Sequence, residues 1–240
     1  MGSEERWYSP RFYQELNATR DSAREILPLI FELVKPASII DVGCGTGHWL
    51  AAALELGIAD ILGIDGAWVL NAKLAIPADK FAAHDLSQPL SVTRRFDLAI
   101  SLEVAEHLPA SQARSFVQSL CRAADKVLFS AAIPGQGGRH HLNEQWPSYW
   151  ASLFRECDYE CYDVVRPKVW NNPRVLWYYA QNCLLFAPRS SASYLGLPTD
   201  PWPLVHPSLW CSQVAKMNSF GKLLERLPKA FMGLFRNRRT

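Results

Sequence analysis

Residues 101–108 read Ser-Leu-Glu-Val-Ala-Glu-His-Leu. Wound as a helix, this run sets Glu103, Glu106 and His107 on one face, at i, i+3 and i+4. Two carboxylates and an imidazole gathered in this way form half of a site for a divalent cation such as Mg or Mn. Farther along come His140, His141, Asn143 and Glu144, a second set of nitrogen and oxygen donors. The chemistry this predicts is activation of a hydroxyl. A cation lowers the pKa of an oxygen it binds; without one, His107 or His141 removes the proton as a general base. A third reading has no chemistry in it, since a Glu–His pair can serve only to anchor a short turn.

A second constellation is Asp41-Val42-Gly43-Cys44-Gly45-Thr46-Gly47. Glycines at 43, 45 and 47 let the backbone turn sharply and approach a ligand with no Cβ in the way. A dinucleotide-binding loop needs the same turn, but it would place its third glycine where His48 stands, and it would cradle a pyrophosphate. An acid at the start of the turn suits a cationic ligand without phosphates. Asp65 follows about twenty residues later, where a carboxylate can take both hydroxyls of a ribose. Asp85 is placed to meet an adenine amino group, and Leu86 to pack on the ring.

These side chains need a scaffold, and the surrounding pattern supplies one. Residues 37–42, 61–65, 80–85, 96–101 and 127–133 read as short buried strands, alternating with helical stretches at 47–56 and after Pro109. An apolar stripe at Ile26, Leu29, Ile30 and Leu33 predicts an earlier helix, with Pro28 as a place for a kink. The alternation predicts an α/β fold: a doubly wound, mostly parallel sheet with helices on both faces. Aromatic β-prone runs at 159–165 and 175–186, after a helix at 147–156, predict an antiparallel edge. In such a sheet, ligands bind beyond the carboxyl ends of the strands. The glycine turn and the Glu103–His107 run both fall there.

The Asp-Val-Gly-Cys-Gly-Thr-Gly run, Asp65, His84-Asp85-Leu86 and the strand at 96–101 resemble the motifs of class I S-adenosylmethionine-dependent methyltransferases, over roughly residues 20–187. The resemblance implies that Gly43, Gly45 and Gly47 approach the methionine part of the cofactor, that Asp65 holds its ribose and that Asp85 meets its adenine. The Glu-x-x-Glu-His run is similar to that of ubiquinone-pathway O-methyltransferases and of enzymes that methylate RNA 3′-terminal 2′-hydroxyls. In the latter, these three side chains and a later histidine bind a metal. By position that histidine is His141, with its neighbour His140 as the alternative. The stretch from Phe129 to Trp150 resembles methyltransferases of bacterial surface-polysaccharide and glycan synthesis.

The implied function is methyl transfer to a hydroxyl of a saccharide or glycan intermediate, with Trp146 or Trp150 as a wall for the sugar. Two alternatives stay open: another small molecule, such as a phenol or a carboxylate, and a protein that binds the cofactor without catalysis. A net charge of +2 hides an asymmetry, because residues 214–240 hold seven basic side chains and one acid, Glu225. The body is therefore mildly acidic and has no basic stripe for nucleic acid. The tail, with Phe220, Leu223, Leu224, Leu227, Phe231 and Leu234 among its basic residues, reads either as a segment lying on an anionic membrane or as a helix packed on the body. We place the domain boundary near Pro188: residues 1–187 hold the cofactor, and 188–240 form a Pro-rich, then basic, extension. Six cysteines without a Cys-x-x-Cys pair, and an acidic N-terminus, predict reduced thiols in the cytoplasm.

Overall fold

The structure is a computed structural model and describes residues 10–217. The apolar and basic residues of the tail beyond Met217 lie outside the described residues. The chain divides into two compact units, Met1–Leu204 and Val205–Thr240. The unit carrying the sheet thus continues past Pro188. In chain order it contains α1 (Pro10–Val34), β1 (Ser38–Val42), α2 (His48–Glu55), β2 (Asp60–Asp65), β3 (Phe81–Ala83), β4 (Leu98–Leu102), α3 (Ala113–Ala123), β5 (Val127–Ser130), α4 (Pro147–Arg155), β6 (Tyr159–Tyr162), α5 (Arg166–Val169), α6 (Trp177–Asn182), β7 (Leu184–Pro188) and α7 (Ala192–Leu195). In the second unit the described element is α8 (Pro207–Met217).

The strands form one sheet in the order β3-β2-β1-β4-β5-β7-β6. The first five are parallel, and β7 pairs antiparallel with both β5 and β6. Every residue of β1 and of β4 is buried, as expected for parallel strands covered on both faces. Alternate side chains point to two separate cores. Ile40, Val42, Ala99, Val127, Phe129 and Phe186 meet α3 and α4 on one face. Ile39, Leu98, Ile100, Leu128 and Leu185 meet α1, α2 and α6 on the other. The α1 helix continues through Pro28, which is exposed, while Ala23, Ile26, Leu27 and Ile30 are buried against the sheet.

Strand order reverses between β1 and β4, so the chain diverges there and leaves a crevice at their carboxyl ends. One expected element is corrected. Residues 175–186 do not form a single strand: they divide into α6 and the start of β7. The aromatic run Trp177-Tyr178-Tyr179 is β-prone, but packing overrides propensity. As a helix it sets Tyr179 edge-on to Trp49 of α2, with ring centroids 5.2 Å apart.

Candidate active site

The glycine turn leaves β1 with three left-handed residues, Gly43 (φ 87°), Gly45 (φ 52°) and Gly47 (φ 88°). It is fastened to β2, because the amides of Gly43 and Cys44 both donate to the Ile64 carbonyl, at 2.8 and 3.1 Å. Asp65, at the end of β2, accepts from the Gly45 amide at 2.7 Å and the Gly66 amide at 2.6 Å. Two hollows adjoin these residues. One, of about 580 Å³, is lined by Asp65, Trp68, Asp85, Leu86 and Leu108. The other, of about 170 Å³, is lined by Asp41, Gly43, Gly45, Thr46, His48 and Tyr179. The first carries two acids and apolar and aromatic side chains, the groups a nucleoside site needs. The second is small and polar.

Asp41 carries the charge of the smaller hollow. It is 2 % exposed, and its Oδ2 has no hydrogen-bond partner. Burial, with the nearby charge of Asp65 added, pushes its carboxyl well above the ordinary carboxylate range. Burial disfavours the charged form of such a carboxyl and a cation beside it would favour that form, so the hollow fits the positively charged head of S-adenosylmethionine. Asp85, by contrast, is exposed; its Oδ1 accepts from the Ser87 amide at 3.0 Å, and the bonds from Ser87 hold its carboxyl low.

On the other side of the crevice, residues 103–108 do not form the helix expected. Glu103 turns left-handed (φ 55°), and only Ala105–His107 make a short 3₁₀ turn. The Glu103 amide is drawn to the Ser130 carbonyl at 3.0 Å and to the Ser130 hydroxyl at 3.1 Å. Its carboxylate accepts from the Gln136 side-chain amide at 2.7 Å and the Asn182 side-chain amide at 3.0 Å. Burial raises its pKa and the bonds from Asn182, Ser130 and Gln136 oppose that rise.

Glu106, His107 and His141 do come together, each offering one donor atom within 4.8 Å of the others. Neither His140, which is exposed, nor Glu103 belongs to that group among the described residues. Glu106 is fully buried, and neither of its oxygens makes a hydrogen bond of normal geometry, although the amides of Glu106 and Ala132 lie nearby. Burial and the charge of Glu103 push it up to about 9. Desolvation and the neighbouring His141 ring hold His107 below the usual histidine value, so it is neutral at pH 7. The Nδ1 of His141 lies 2.9 Å from Glu144, whose carboxylate also accepts from the amides of Gly135 and Gly137, both at 2.8 Å. Glu144 thus binds its loop together and leaves Nε2 as the nitrogen His141 can offer.

Several residues of this site were not foreseen. Trp68 lines the nucleoside hollow with 69 % of its surface exposed; its signal was its place just after the strand-ending acid. Gln136 and Asn182 carried no local signal, because each reaches Glu103 from a loop or helix distant in sequence; Glu144, named with the donors after residue 140, proves to hold His141. Trp150 is corrected as a sugar wall, being 2 % exposed and packed on Phe129 with ring centroids 5.3 Å apart. Trp146 remains accessible at 38 %, next to Leu142 at 65 % along the same loop.

This fold, with its crevice and its glycine turn, is that of a methyltransferase. Residues 13–171 match a family described as a methyltransferase domain, and the chain belongs to it. No curated protein matches the sequence. Among solved structures, DesVI of Streptomyces venezuelae superposes with a TM-score of 0.58 at 14 % identity, over 78 % of this chain and 99 % of that one. The methyltransferase domain of bacterial CtHen1-C gives 0.52 at 17 % identity, over 72 % and 98 %. Human N-acetylserotonin methyltransferase, in complex with SAM, gives 0.50 at 14 % identity, over 73 % of this chain. The chain spans only 55 % of the length of that human enzyme. At such identities the likeness is one of fold. The protein is an S-adenosylmethionine-dependent methyltransferase.

The ionisation of Asp41 gives a first expected result. Burial raises the Asp41 carboxyl above its ordinary range and a bound cation favours its ionised form, so cofactor binding is expected to be coupled to release of a proton there. Affinity is therefore expected to rise with pH while Asp41 titrates above the ordinary range, and Asp41→Asn to weaken binding about tenfold and remove the slope, as for loss of one charge-assisted hydrogen bond. Calorimetry of S-adenosylhomocysteine binding across pH checks it. A slope unchanged in the variant would place the titrating group elsewhere.

Proposed function

We propose that this enzyme transfers its methyl group to a hydroxyl of a saccharide or glycan intermediate, presented by a divalent cation on Glu106, His107 and His141. Glu106 carries the assignment. A fully buried carboxylate without a hydrogen-bond partner is costly, and a cation between it and two imidazoles would relieve that cost. Two nitrogen donors suit Mn²⁺ better than Mg²⁺, which prefers oxygen. No described helix is long and apolar enough to cross a membrane. The basic tail is proposed as a peripheral membrane contact, which cosedimentation with anionic vesicles tests.

The bound cofactor supplies an electrophilic methyl group, and the cation would lower the pKa of the acceptor hydroxyl. The protein aligns that oxygen with the methyl group, a contribution of ~7–11 kcal/mol in well-oriented systems. Glu103, fixed by Gln136 and Asn182 and near enough to His141 for their charges to interact, is assigned to receive the proton. The exposed ring of Trp146 offers an apolar surface to one face of a sugar.

A panel of nucleotide sugars, free saccharides and phenols, assayed for methyl uptake with chelator and with Mn²⁺ added back, tests both parts. Methylation of a saccharide that stops with chelator supports the proposal. A phenol methylated in preference overturns the acceptor, and full activity in chelator removes the cation and leaves His107 as the base.

A further inference from the structure

We propose that Cys121 and Cys157 form an oxidisable dithiol, a modification site for a peroxide, whose disulfide closes a covalent loop around β5, the His141 loop and α4. The inference stands apart from the cofactor and acceptor readings.

Cys121 lies near the end of α3 and Cys157 just beyond α4. Both thiols are free, the first buried and the second half-buried. The Cys157 thiol is within hydrogen-bonding reach of the Cys121 thiol, and both residues line one open cavity of about 490 Å³. Arg95, Gln118, Arg122 and Tyr159 share its walls. Neighbouring cysteines sealed in a core act as small apolar side chains. These two instead open onto a polar, cationic cavity that a small oxidant can enter.

The chain is anchored on both sides of the pair. Arg95 donates to the carbonyls of Cys121, Arg122 and Ala124 at 3.1, 2.9 and 2.9 Å. The Tyr159 hydroxyl donates to the Ala124 carbonyl at 2.6 Å. The Cys157 amide closes the end of α4 on the Phe154 carbonyl at 2.9 Å. The approach of the two sulfurs is therefore built into the fold.

Cys157, the more accessible sulfur, attacks one oxygen of hydrogen peroxide as its thiolate. The O–O bond breaks, Cys157 becomes a sulfenic acid, and the other oxygen leaves as water with the thiol proton. The Cys121 sulfur then attacks the Cys157 sulfur. The S–O bond breaks, and the second oxygen leaves as water with the Cys121 proton. Each sulfur gives up one electron, and the peroxide is reduced to two waters. Burial and the neighbouring Cys157 push the Cys121 thiol up, opposed by the charges of Arg95 and Arg122. That suits Cys121 to the second, resolving step. The cross-link encloses the segment carrying His141 and Glu144, and restricts it in the unfolded chain.

The full chain with Cys211→Ser, which removes the exposed thiol of the second unit, is treated with hydrogen peroxide. Intact mass is expected to fall by two hydrogens, and peptide mapping to find Cys121 joined to Cys157. The melting midpoint should rise by roughly 5–15 °C, as for closure of a long loop, and dithiothreitol should reverse both changes. Cys157→Ser should abolish them. Phenylarsine oxide, which bridges only closely spaced thiols and loses its oxygen as water, should bind both sulfurs of the reduced, unsubstituted chain. Over-oxidation of Cys157 beside a free Cys121 would overturn the inference. So would a link to another cysteine, two unreacted thiols, or an arsenical that finds no pair.

Discussion

Replacing Glu106 by glutamine is expected to lower kcat by about 10²- to 10⁴-fold, the loss of several kcal/mol of charge stabilisation at the acceptor oxygen, while cofactor affinity stays as it was. Glutamine keeps the shape of the buried side chain and removes only its ability to become an anion. The same change should leave the chelated protein as stable as before, or more so. Without a cation, Glu106 is already held neutral by burial and by the charge of Glu103, with its pKa near 9, so a neutral amide loses nothing there. The pH dependence has a definite sign. A carboxyl raised in the folded state stabilises the fold fully below its unfolded pKa, and that contribution is lost as pH rises through about 9. Chelated enzyme should therefore lose stability from weakly acidic to alkaline pH, and Glu106→Gln should flatten that decline. Adding Mn²⁺ at a hundred times its Kd should stabilise the parent by about 2.7 kcal/mol and the variant hardly at all. Thermal melts with and without chelator check this. A variant that keeps its activity, or that loses cofactor affinity in step with activity, removes Glu106 from the acceptor site.

Much of the cofactor half could be read from the chain because its signals are local. Residues 38–42 and 98–102 are buried on both faces, so their apolar runs announced parallel strands, and the glycines at 43, 45 and 47 marked the turn after the first of them. The acceptor half was less legible. Its histidines and carboxylates were visible as residue types, but their grouping depended on a helix at 103–108 that does not form. Glu103 is turned left-handed at the end of β4, where its amide meets Ser130. That partner comes from a neighbouring strand and leaves no trace in the local pattern. The amides that receive the Glu103 carboxylate come from the loop after β5 and from α6. The aromatic run in which α6 begins read as strand, so neither Asn182 nor Tyr179 was seen as part of the site.

The second large effect is expected at Gly43, where the two halves of the site touch. A Cβ at this position would lie 2.3 Å from Cγ2 and 2.7 Å from Cγ1 of Val104, on a backbone with φ of 87°. Neither side can yield freely. The Gly43 amide is tied to the Ile64 carbonyl at 2.8 Å, and Val104 is a buried residue in the segment that carries Glu106 and His107. Gly43→Ala thus combines left-handed strain of roughly 1–2 kcal/mol with overpacking of typically 1–3 kcal/mol. We expect about 2–5 kcal/mol of lost stability and a cofactor affinity reduced at least a hundredfold, because the turn that approaches the methionine part must shift. The two contributions separate in a double-mutant cycle. Val104→Ala alone opens a cavity, but in the Gly43→Ala background it removes the clash and leaves the strain, so the pair should show a favourable coupling of about 1–3 kcal/mol. Turnover should respond more sharply than cofactor affinity to the clash, since pushing Val104 displaces Glu106 and His107 next to it. Additive stability changes across the cycle would mean that the two loops move independently. The cofactor turn would then have no mechanical hold on the residues assigned to the acceptor.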